Sequence, residues 1–262
     1  RMRGGRLMGA LHGRHAVVTG GSRGIGAAIA AALVAEGAAV TLIGRDAEAL
    51  RRTAAELGAG TAWASADVTD RAALETAFAA ARAAHGPIAI LINNAGIAPS
   101  AAFHHTDPTL WSKVMATNVD GVYHGTQLAL PDMRALKFGR IVNIASTAGK
   151  RGFAYCTAYC AAKHAVIGFT RALAMELARQ PITVNAVCPG FTDTDIVRES
   201  LRVIREKTGR SEEEAMDSIL TGNPQRRLIR PEEVADAVRW LCLPLSSSVT
   251  GKSLMVDGGE VT

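Results

Sequence analysis

The sequence lacks an apolar run long enough to cross a membrane. Its longest apolar stretch, residues 27–35, covers nine residues, whereas a spanning helix needs about 20. Residues 1–12 carry basic residues but no apolar core of the length that a secretory signal peptide requires. We therefore expect a cytoplasmic protein with no membrane contact, in which residues 1–12 form a flexible tail.

Aromatic residues, basic runs and metal-ligand clusters are also scarce. Aromatic residues make up 5% of the chain, and the net charge of +5 is not gathered into a Lys/Arg run with interleaved aromatics, so nucleic-acid binding is not expected. The four cysteines lack the second pair and the histidine spacing of a zinc site. We expect them to be ordinary buried thiols, and we expect no metal.

Alanine, glycine and aliphatic residues are abundant instead. The 262 residues include 26 glycines and 48% apolar residues, a composition typical of alanine-rich helices packed on a sheet. The length allows one large α/β domain or two small ones. Because no Pro/Gly/Ser-rich linker and no repeat divides the chain, we predict a single domain over residues 13–262.

Short apolar runs rich in β-branched residues alternate with helical patterns along the chain. Helices are predicted between the strands, including one long helix over 107–134 and another over 157–178. Such alternation predicts an α/β fold, a Rossmann-type doubly wound parallel sheet of about seven strands with helices on both faces. Ligands of such folds bind where the strands end. Strands are predicted at residues 15–19, 40–43, 61–66, 88–92, 140–144, 182–187 and 253–256.

A glycine-rich turn follows the first predicted strand and opens a helix. Gly20, Gly24 and Gly26 have the spacing G-x-x-x-G-x-G. Glycine lets the backbone approach a pyrophosphate, and the helix N-terminus offers free N–H groups and the positive end of the helix dipole. This context predicts dinucleotide binding; the alternative is a tight turn without a ligand.

The end of the second predicted strand bears on the choice between the two nicotinamide cofactors. Arg45 follows that strand, and Arg23 lies within the glycine-rich turn. Two guanidinium groups favour the 2′-phosphate of NADPH through charge-assisted bonds. In the alternative, Arg45 is solvated and Asp46 accepts a bond from the ribose of NADH. Asp67, which ends the third strand, is a candidate partner for the adenine amino group, with Val68 beside the ring.

A Tyr–Lys pair forms the candidate catalytic centre. Tyr159 and Lys163 share one helix face, and Ser146 lies thirteen residues before the tyrosine. A phenol titrates near ~10, and an ammonium at about 4 Å contributes roughly 4 kcal/mol at an effective dielectric constant of about 20. The lysine can therefore lower the pKa of the phenol toward neutrality. Taken alone, a Y-x-x-x-K spacing also occurs by chance on exposed helices.

Seven motifs together resemble those of the short-chain dehydrogenases/reductases. The resemblance covers residues 13–262 and includes Y-C-A-A-K at Tyr159–Lys163. Tyr155 has no lysine four residues on, so Tyr159 takes the tyrosine's place. In chain order the motifs are T-G-G-S-R-G-I-G (19–26), D-V (67–68), N-N-A-G (93–96), N-V-D-G (118–121), Ser146, Y-C-A-A-K (159–163) and P-G (189–190).

The resemblance implies a role for each matching residue. Tyr159 is implied to be the general acid in carbonyl reduction or the base in alcohol oxidation, while Lys163 lowers its pKa and bonds the nicotinamide ribose. Ser146 is implied to polarise the carbonyl, and Asn118 to hold a water that connects Lys163 to solvent. The implied cofactor-binding residues are Gly20, Ser22, Arg23, Gly24, Ile25, Gly26, Arg45, Asp67, Val68, Asn94, Ala95, Gly96, Tyr159, Lys163, Pro189, Gly190 and Thr192.

Within the family, residues 139–152 and 182–191 resemble aromatic polyketide ketoreductases, 3-oxoacyl carrier-protein reductases and acetoacetyl-CoA reductases. The resemblance implies an NADPH-dependent ketoreductase whose small-molecule ketone substrate is thioester-linked or polyketide-like. It also implies a homotetramer, with Trp111 at a subunit contact. Similarity to NADH-linked 3-hydroxybutyrate dehydrogenases leaves an oxidative dehydrogenase as the alternative. A dinucleotide-binding regulator without catalysis is disfavoured because every catalytic position is filled.

Residues 192–230 are expected to form the lid over the substrate. Two interpretations are open for the arginines in this segment. They could contact an acidic carrier protein or coenzyme A, or they could form salt bridges on helix surfaces, and the second interpretation is favoured. The residues concerned are Arg198, Arg202, Arg205 and Arg226. His104 and His105 are expected at the rim of the pocket rather than in a catalytic role.

Overall fold

The protein is described here by a computed structural model covering residues 9–261. Seven strands alternate with helices along the chain, as predicted. The strands are β1 (His15–Thr19), β2 (Ala39–Gly44), β3 (Thr61–Ser65), β4 (Ile90–Asn93), β5 (Gly139–Ile144), β6 (Ile182–Pro189) and β7 (Ser253–Val256). The helices are α1 (Gly24–Ala35), α2 (Ala47–Leu57), α3 (Arg71–His85), α4 (Pro108–Met115), α5 (Gly121–Leu136), α6 (Thr157–Glu176), α7 (Asp195–Thr208), α8 (Glu212–Leu220) and α9 (Pro231–Cys242).

All strands are parallel and form one sheet in the order β3-β2-β1-β4-β5-β6-β7. Strands β1, β4, β5 and β6 are buried along their whole length, as expected for a parallel sheet covered on both faces. The strand order reverses between β1 and β4, which opens a crevice at their carboxyl ends. The predicted Rossmann-type sheet is therefore confirmed.

Helices cover both faces of the sheet. On one face α1 and α9 pack against the strands, with Ile29, Leu33 and Val238 fully buried. On the other face α3, α5 and α6 bury Phe78 and Met133 against the sheet. Each fully buried side chain of this size contributes roughly 1.5–3 kcal/mol, so the two layers hold the strand ends in fixed positions.

Aspartate caps fix where three helices begin. The carboxylate of Asp46 accepts from Ala49 N at 3.0 Å, and Asp70 and Asp107 cap α3 and α4 in the same way. Each such cap contributes about 1 kcal/mol. One carboxylate oxygen of Asp46, the alternative ribose partner, is therefore already engaged at the start of α2.

The long helix predicted over 107–134 is interrupted, which corrects that prediction. A π-helical segment, Ala116–Asp120, separates α4 from α5, and α5 continues through Pro131 to Leu136. Such segments insert one extra residue into a helix and occur often at functional sites. The apolar periodicity of the sequence did not indicate this interruption, because α4 and α5 each bury one apolar face.

Residues 9–12 belong to the packed domain rather than to a tail. Leu11 is fully buried in the core, and its N–H donates to the Glu36 carbonyl at 2.9 Å. The domain boundary predicted at residue 13 therefore lies too late in the chain, because one apolar side chain, Leu11, packs with α1 in the core. Residues 1–8 and 262 lie outside the described part. Within residues 9–261 no helix is both long and apolar enough to span a bilayer.

Candidate active site

The carboxyl ends of the central strands open into a cleft of about 1300 Å³. Every residue to which the sequence analysis gave a cofactor or catalytic role lines this cleft, although those residues span 173 positions of the chain from Gly20 to Thr192. They are Gly20, Ser22, Arg23, Gly24, Ile25, Gly26, Arg45, Asp67, Val68, Asn94, Ala95, Gly96, Asn118, Ser146, Tyr159, Lys163, Pro189, Gly190 and Thr192.

Asn94 holds the glycine-rich turn against the end of β4. Its Nδ2 donates to the carbonyls of Thr19 and Gly20 at 2.9 and 3.0 Å. A Cβ on Gly20 would lie 2.8 Å from this nitrogen, and one on Gly26 would lie 2.6 Å from it. The close approach of the asparagine thus leaves no room for a side chain at Gly20, and at Gly26 the Gly20 carbonyl oxygen, 2.2 Å from the Cβ position, is nearer still. Thr19 Oγ1, which the sequence analysis did not single out, accepts from the backbone N–H of Asn94 and of Ala95.

The start of α7 lies over the same turn. Gly24 has a φ of +53°, and a Cβ there would lie 3.2 Å from Thr194 Cγ2. Arg23 Nη1 forms an ion pair with Asp195 at 3.0 Å. Neither Thr194 nor Asp195 was predicted to belong to the site. The sequence T-D-T-D at residues 192–195, which follows Phe191, contains no motif that would predict this contact.

Arg45 and Asp67 lie opposite each other at the ends of β2 and β3. Arg45 Nη1 and Asp67 Oδ2 are 3.9 Å apart, and Asp67 Oδ1 accepts from the backbone N–H and the hydroxyl of Thr69. Burial raises the pKa of Asp67, but the Thr69 bonds and the Arg45 charge outweigh it and lower the pKa below its usual value. The carboxylate is therefore ionised at neutral pH.

The π-helical segment places Asn118 against the loop after β4. Asn118 Nδ2 donates to the carbonyls of Ile97 and Val114, and its Oδ1 accepts from Ile97 N at 3.2 Å. A Cβ on Gly96 would lie 2.7 Å from Asn118 Oδ1 and 3.6 Å from Lys163 Nζ. Gly96 thus allows Asn118 and Lys163 to approach the same point of the cleft.

Ser146 and Tyr159 meet at the end of β5. Ser146 Oγ accepts from Ala148 N at 3.1 Å, and the Ser146 hydroxyl group lies near enough to the Tyr159 phenol to influence its pKa. Burial raises the pKa of Tyr159 to about 12, with the neighbouring Ser146 hydroxyl acting in the opposite direction. The phenol is therefore protonated at neutral pH, although its side chain keeps partial exposure to the cleft.

Lys163 lies beneath the tyrosine. Its Nζ donates to the Ile144 carbonyl at 2.8 Å and lies 5.6 Å from the centroid of the Tyr159 ring. Burial lowers the pKa of Lys163 to about 8. Desolvation thus moves the two pKa values in opposite directions, and the expected fall in the pKa of Tyr159 does not occur in this arrangement. The spacing Y-x-x-x-K places the pair on one face but carries no information about burial.

Two aromatic rings, which were not predicted, line the outer part of the cleft. Phe153 and Phe191 meet edge to face, with their centroids 6.1 Å apart. Cys156 lines the cleft beside them, and burial raises the pKa of its thiol. The part of the cleft that these two rings line is therefore mostly apolar.

The four arginines of residues 192–230 and the two loop histidines make local contacts. Each of the four arginines forms an ion pair with a carboxylate of the same segment, as the favoured reading expected. His104 and His105 stack on each other, with centroids 4.2 Å apart, and do not line the cleft. Within residues 9–261 no group of three or more His, Cys, Asp and Glu residues could hold a metal ion, and all four cysteines are free.

A parallel doubly wound sheet, a glycine-rich turn at its switch point and a Ser–Tyr–Lys group in the same cleft define a dinucleotide-dependent oxidoreductase. The chain belongs to the short chain dehydrogenase family: the family model, described as short chain dehydrogenase, matches residues 14–203. This confirms the resemblance seen in the sequence motifs.

Relatives and a solved structure cover nearly the whole chain. A putative ketoacyl reductase of Streptomyces coelicolor is 42% identical over 252 residues, covering 93% of this chain and 95% of that protein. An acetoacetyl-CoA reductase of Rhizobium meliloti is 41% identical (94% and 98% covered), and a D-beta-hydroxybutyrate dehydrogenase of Cupriavidus necator is 36% identical (96% and 99%). A crystal structure of a variant actinorhodin polyketide ketoreductase with NADPH superposes with a TM-score of 0.90 at 40% identity, covering 94% of this chain and 97% of that one.

Proposed function

We propose that the protein is an NADPH-dependent ketoreductase that reduces a ketone, thioester-linked or polyketide-like, with Tyr159 as the general acid. The observation that carries this proposal is that Ser146, Tyr159 and Lys163 line the same cleft as the glycine-rich turn. A proton donor and a dinucleotide turn in one cleft are the two parts that carbonyl reduction requires.

The residues of the cleft fit a dinucleotide. Gly20 and Gly24 adopt φ values of +65° and +53°, so the backbone of the turn is bare where a pyrophosphate approaches the start of α1. The remaining cofactor contacts are assigned to Asn94, Gly96 and Lys163 in the middle of the cleft and to Pro189–Gly190 at its far end. NADPH supplies the hydride when bound.

The phosphate of the adenosine end is assigned to Arg23 and Arg45. Both guanidinium groups are exposed at the mouth of the cleft, where charge-assisted bonds to a 2′-phosphate can form. Asp195 and Asp67 pair with them and compete with the phosphate. This competition predicts a preference for NADPH that is smaller than two unpaired arginines would give.

Proton transfer is assigned to the Tyr159 phenol. A pKa of about 12 keeps the phenol in the protonated form that donates to a carbonyl oxygen. Ser146 orients the same oxygen through its hydroxyl group. Lys163, buried and held by Ile144, is assigned to the nicotinamide ribose and to replenishing the proton along a path past Asn118.

The outer cleft and the relatives support a ketone on an acyl chain or ring. The wall formed by Phe153 and Phe191 is apolar, and residues 192–230 form the proposed lid beside it. Relatives named ketoacyl reductase and acetoacetyl-CoA reductase share 40% identity or more over at least 93% of this chain. We assign the substrate of this chain to the same class, 3-oxoacyl thioesters and related polyketide ketones.

An NAD-linked dehydrogenase acting on a 3-hydroxy acid is the second candidate. Two observations favour it: the D-beta-hydroxybutyrate dehydrogenase relative at 36% identity, and the aspartates that pair with Arg23 and Arg45. In this case the enzyme oxidises the alcohol, and Tyr159 accepts the proton. The raised pKa of Tyr159 opposes that direction near neutral pH, because a base must first lose its proton.

We also propose a cytoplasmic homotetramer. Trp111, Tyr123 and Met175, on the α4, α5 and α6 helices, are 41%, 45% and 78% exposed. The resemblance to the family supports this assembly, and these exposed apolar side chains are candidates for its subunit contacts. Sedimentation velocity on the purified protein tests the assignment, and a monomer would contradict it.

The proposal is tested with Tyr159→Phe and the matched variant Tyr155→Phe. Tyr155 lies four residues earlier, is 65% exposed and does not line the cleft. With acetoacetyl-CoA and NADPH we expect Tyr159→Phe to lose at least about 10²-fold in kcat while NADPH still binds, and Tyr155→Phe to keep its activity. Retained turnover in Tyr159→Phe would overturn the mechanism. Higher kcat/KM with NAD and 3-hydroxybutyrate than with NADPH and acetoacetyl-CoA would favour the second candidate.

A further inference from the structure

The last turn of the described chain, residues 257–261, folds back beside the proposed substrate site. We call it the C-terminal turn. The carboxylate of Asp257 accepts from Gly259 N at 3.0 Å and from Val261 N at 2.9 Å. These bonds close the turn directly after β7, so that the side chain of Glu260 points inward.

Glu260 forms a buried ion pair with Arg151. The Glu260 side chain is 1% exposed, and its Oε1 accepts from Arg151 Nη2 at 2.6 Å. Among the described residues its Oε2 has no hydrogen-bond partner, and that oxygen lies 2.9 Å from where a Cβ on Gly190 would be. Burial raises the pKa of Glu260, and the Arg151 charge opposes the rise. The carboxylate thus lies directly behind Gly190, at the end of β6.

Arg151 connects this carboxylate to the aromatic wall. Its guanidinium lies over the Phe153 ring, 4.4 Å from the centroid, and Phe153 meets Phe191 edge to face. Phe191 in turn packs with Val197 and Leu201 of α7. A continuous set of contacts therefore runs from the C-terminal turn through both cleft-lining rings into the first lid helix.

The C-terminal turn also touches the other end of the lid. A Cβ on Gly258 would lie 2.5 Å from Asn223 Oδ1, and one on Gly259 would lie 3.4 Å from Pro224 Cγ. Asn223 is buried, and its Nδ2 donates to the Arg227 carbonyl. The C-terminal turn thus fixes both ends of the segment that begins after Gly190 and ends before α9.

We propose that Arg151 and Glu260 are positioning residues that hold the Phe153–Phe191 wall and the lid in the shape that accepts the substrate. Neither residue lines the cleft, so both act through the rings and the lid. The expected effect on substrate affinity rests on the proposed ketoreductase function, whereas the expected effect on the lid rests on the contacts alone.

The physical reason is that the buried Glu260 carboxylate holds the Arg151 guanidinium over the Phe153 ring. Without the charge of Glu260, the guanidinium loses its charged partner and is better solvated outside the protein. Arg151 is 39% exposed at its side chain, so it can swing toward solvent when Glu260 is neutral. That movement takes the guanidinium away from the Phe153 ring, so the Phe153–Phe191 wall is no longer held in one position.

The test compares Glu260→Gln with Asp132→Asn in the full-length protein. Asp132 pairs with Arg82 at 2.7 Å and is 17% exposed, and it accepts from Ile88 N just before the amino end of β4, whereas the cleft lies at the carboxyl ends of the strands. By hydrogen exchange we expect protection over residues 191–204 and 221–227 to fall at least about fivefold in Glu260→Gln and to stay unchanged in Asp132→Asn. Equal protection of the lid in Glu260→Gln and the parent protein would overturn the proposal.

Kinetics separate a positioning role from a general loss of structure. For acetoacetyl-CoA we expect KM to rise about tenfold in Glu260→Gln, with kcat and the Kd of NADPH within about twofold of the parent values. Arg151→Met should give the same pattern, and the Arg151→Met/Glu260→Gln double variant should lose no more than either single variant. A rise in the Kd of NADPH as large as the rise in KM, or additive losses in the double variant, would overturn it. If the parent protein does not reduce acetoacetyl-CoA, the substrate assignment fails, while the exchange pattern still decides the role of the ion pair.

Discussion

Lys163 donates a hydrogen bond to the Ile144 carbonyl at 2.8 Å, so a buried ammonium is anchored to the end of β5, two residues before Ser146. The bond fixes the side chain but does not replace the lost hydration, and burial lowers the pKa of Lys163 to about 8. A group that is harder to charge in the folded protein than in the unfolded chain destabilises the fold while it is charged. The charged Lys163 in the proposed site therefore lowers the stability of the folded protein.

We predict that Lys163→Met is more stable than the parent protein at pH 7 and inactive. A pKa lowered from 10.5 to about 8 corresponds to about 3 kcal/mol of destabilisation below pH 8. Leaving the Ile144 carbonyl without its partner costs about 1 kcal/mol, so the expected net gain is about 2 kcal/mol.

The pH dependence of this gain has a definite sign. Between pH 8 and 10.5 the unfolded chain keeps the lysine proton and the folded protein has lost it, so the parent protein gains stability relative to Lys163→Met as the pH rises. Urea unfolding of both proteins at pH 7, 8, 9 and 10 measures the difference. A gap that is constant across this range, or a less stable variant at pH 7, would contradict the prediction.

Gly96→Ala should weaken cofactor binding because its Cβ would lie 2.7 Å from Asn118 Oδ1. Either the asparagine or the loop after β4 must move, at a cost of about 1–3 kcal/mol, and we expect the Kd of NADPH to rise about tenfold. Gly60→Ala is the matched control, since the nearest atom to its Cβ would be 4.0 Å away. Fluorescence titration with NADPH measures both, and an unchanged Kd in Gly96→Ala would show that the loop yields without loss.

Asp195→Asn should tighten NADPH binding without affecting NADH. Arg23 pairs with Asp195 at 3.0 Å in an exposed position, where such pairs contribute about 0–1 kcal/mol. Release of Arg23 to the 2′-phosphate should therefore lower the Kd of NADPH by up to about fivefold. Asp236→Asn, which breaks a similar exposed pair with Arg239 on α9, serves as the control. An equal change for NADH and NADPH would show that Asp195 does not act through the phosphate.

His15 should make the protein sensitive to acid. It is buried between Gly86 and Thr41, with ring nitrogens 2.8 Å from the Gly86 carbonyl and 2.9 Å from Thr41 Oγ1, and burial lowers its pKa to about 4. Because the unfolded chain binds this proton near pH 6.5, the stability from His15 is present above that pH and is lost as the pH falls toward 4.

The magnitude of this loss can be measured. Between pH 7 and pH 5 the neutral His15 accounts for about 2 kcal/mol of lost stability. Chemical denaturation at the two pH values should show a smaller loss by about that amount in His15→Gln than in the parent protein. Equal losses in the two proteins would assign the acid sensitivity to other groups.

The strand and helix order could be read from the sequence because each strand is a short buried run between glycine or aspartate signals. Asp46, Asp70 and Asp107 cap three of the helices that were predicted between the strands. The members of the candidate site could also be predicted from the sequence, because the motif spacing and the parallel topology bring them to the carboxyl ends of the strands. Position in the cleft was therefore predictable from local pattern and topology together.

What the sequence did not disclose depends on contacts between distant residues. The pKa values of Tyr159 and Lys163 follow from burial by the whole fold rather than from their spacing. The Arg23–Asp195 and Arg151–Glu260 pairs join residues 172 and 109 positions apart, and no local pattern marks either pair. The burial of Leu11 likewise follows only from its contact with α1.

Because of the π-helical segment Ala116–Asp120, the apolar residues of α4 and those of α5 do not follow one continuous helical periodicity. One extra residue in a turn rotates the following helix by about 100°, so α4 and α5 direct their apolar faces at different neighbours, α6 and the sheet. A one-residue deletion in this segment would restore a regular helix and remove the wide turn that places Asn118 against Ile97. Sequence gaps near Asn118 should therefore be read as the loss or gain of this wide turn rather than as a change in helix length.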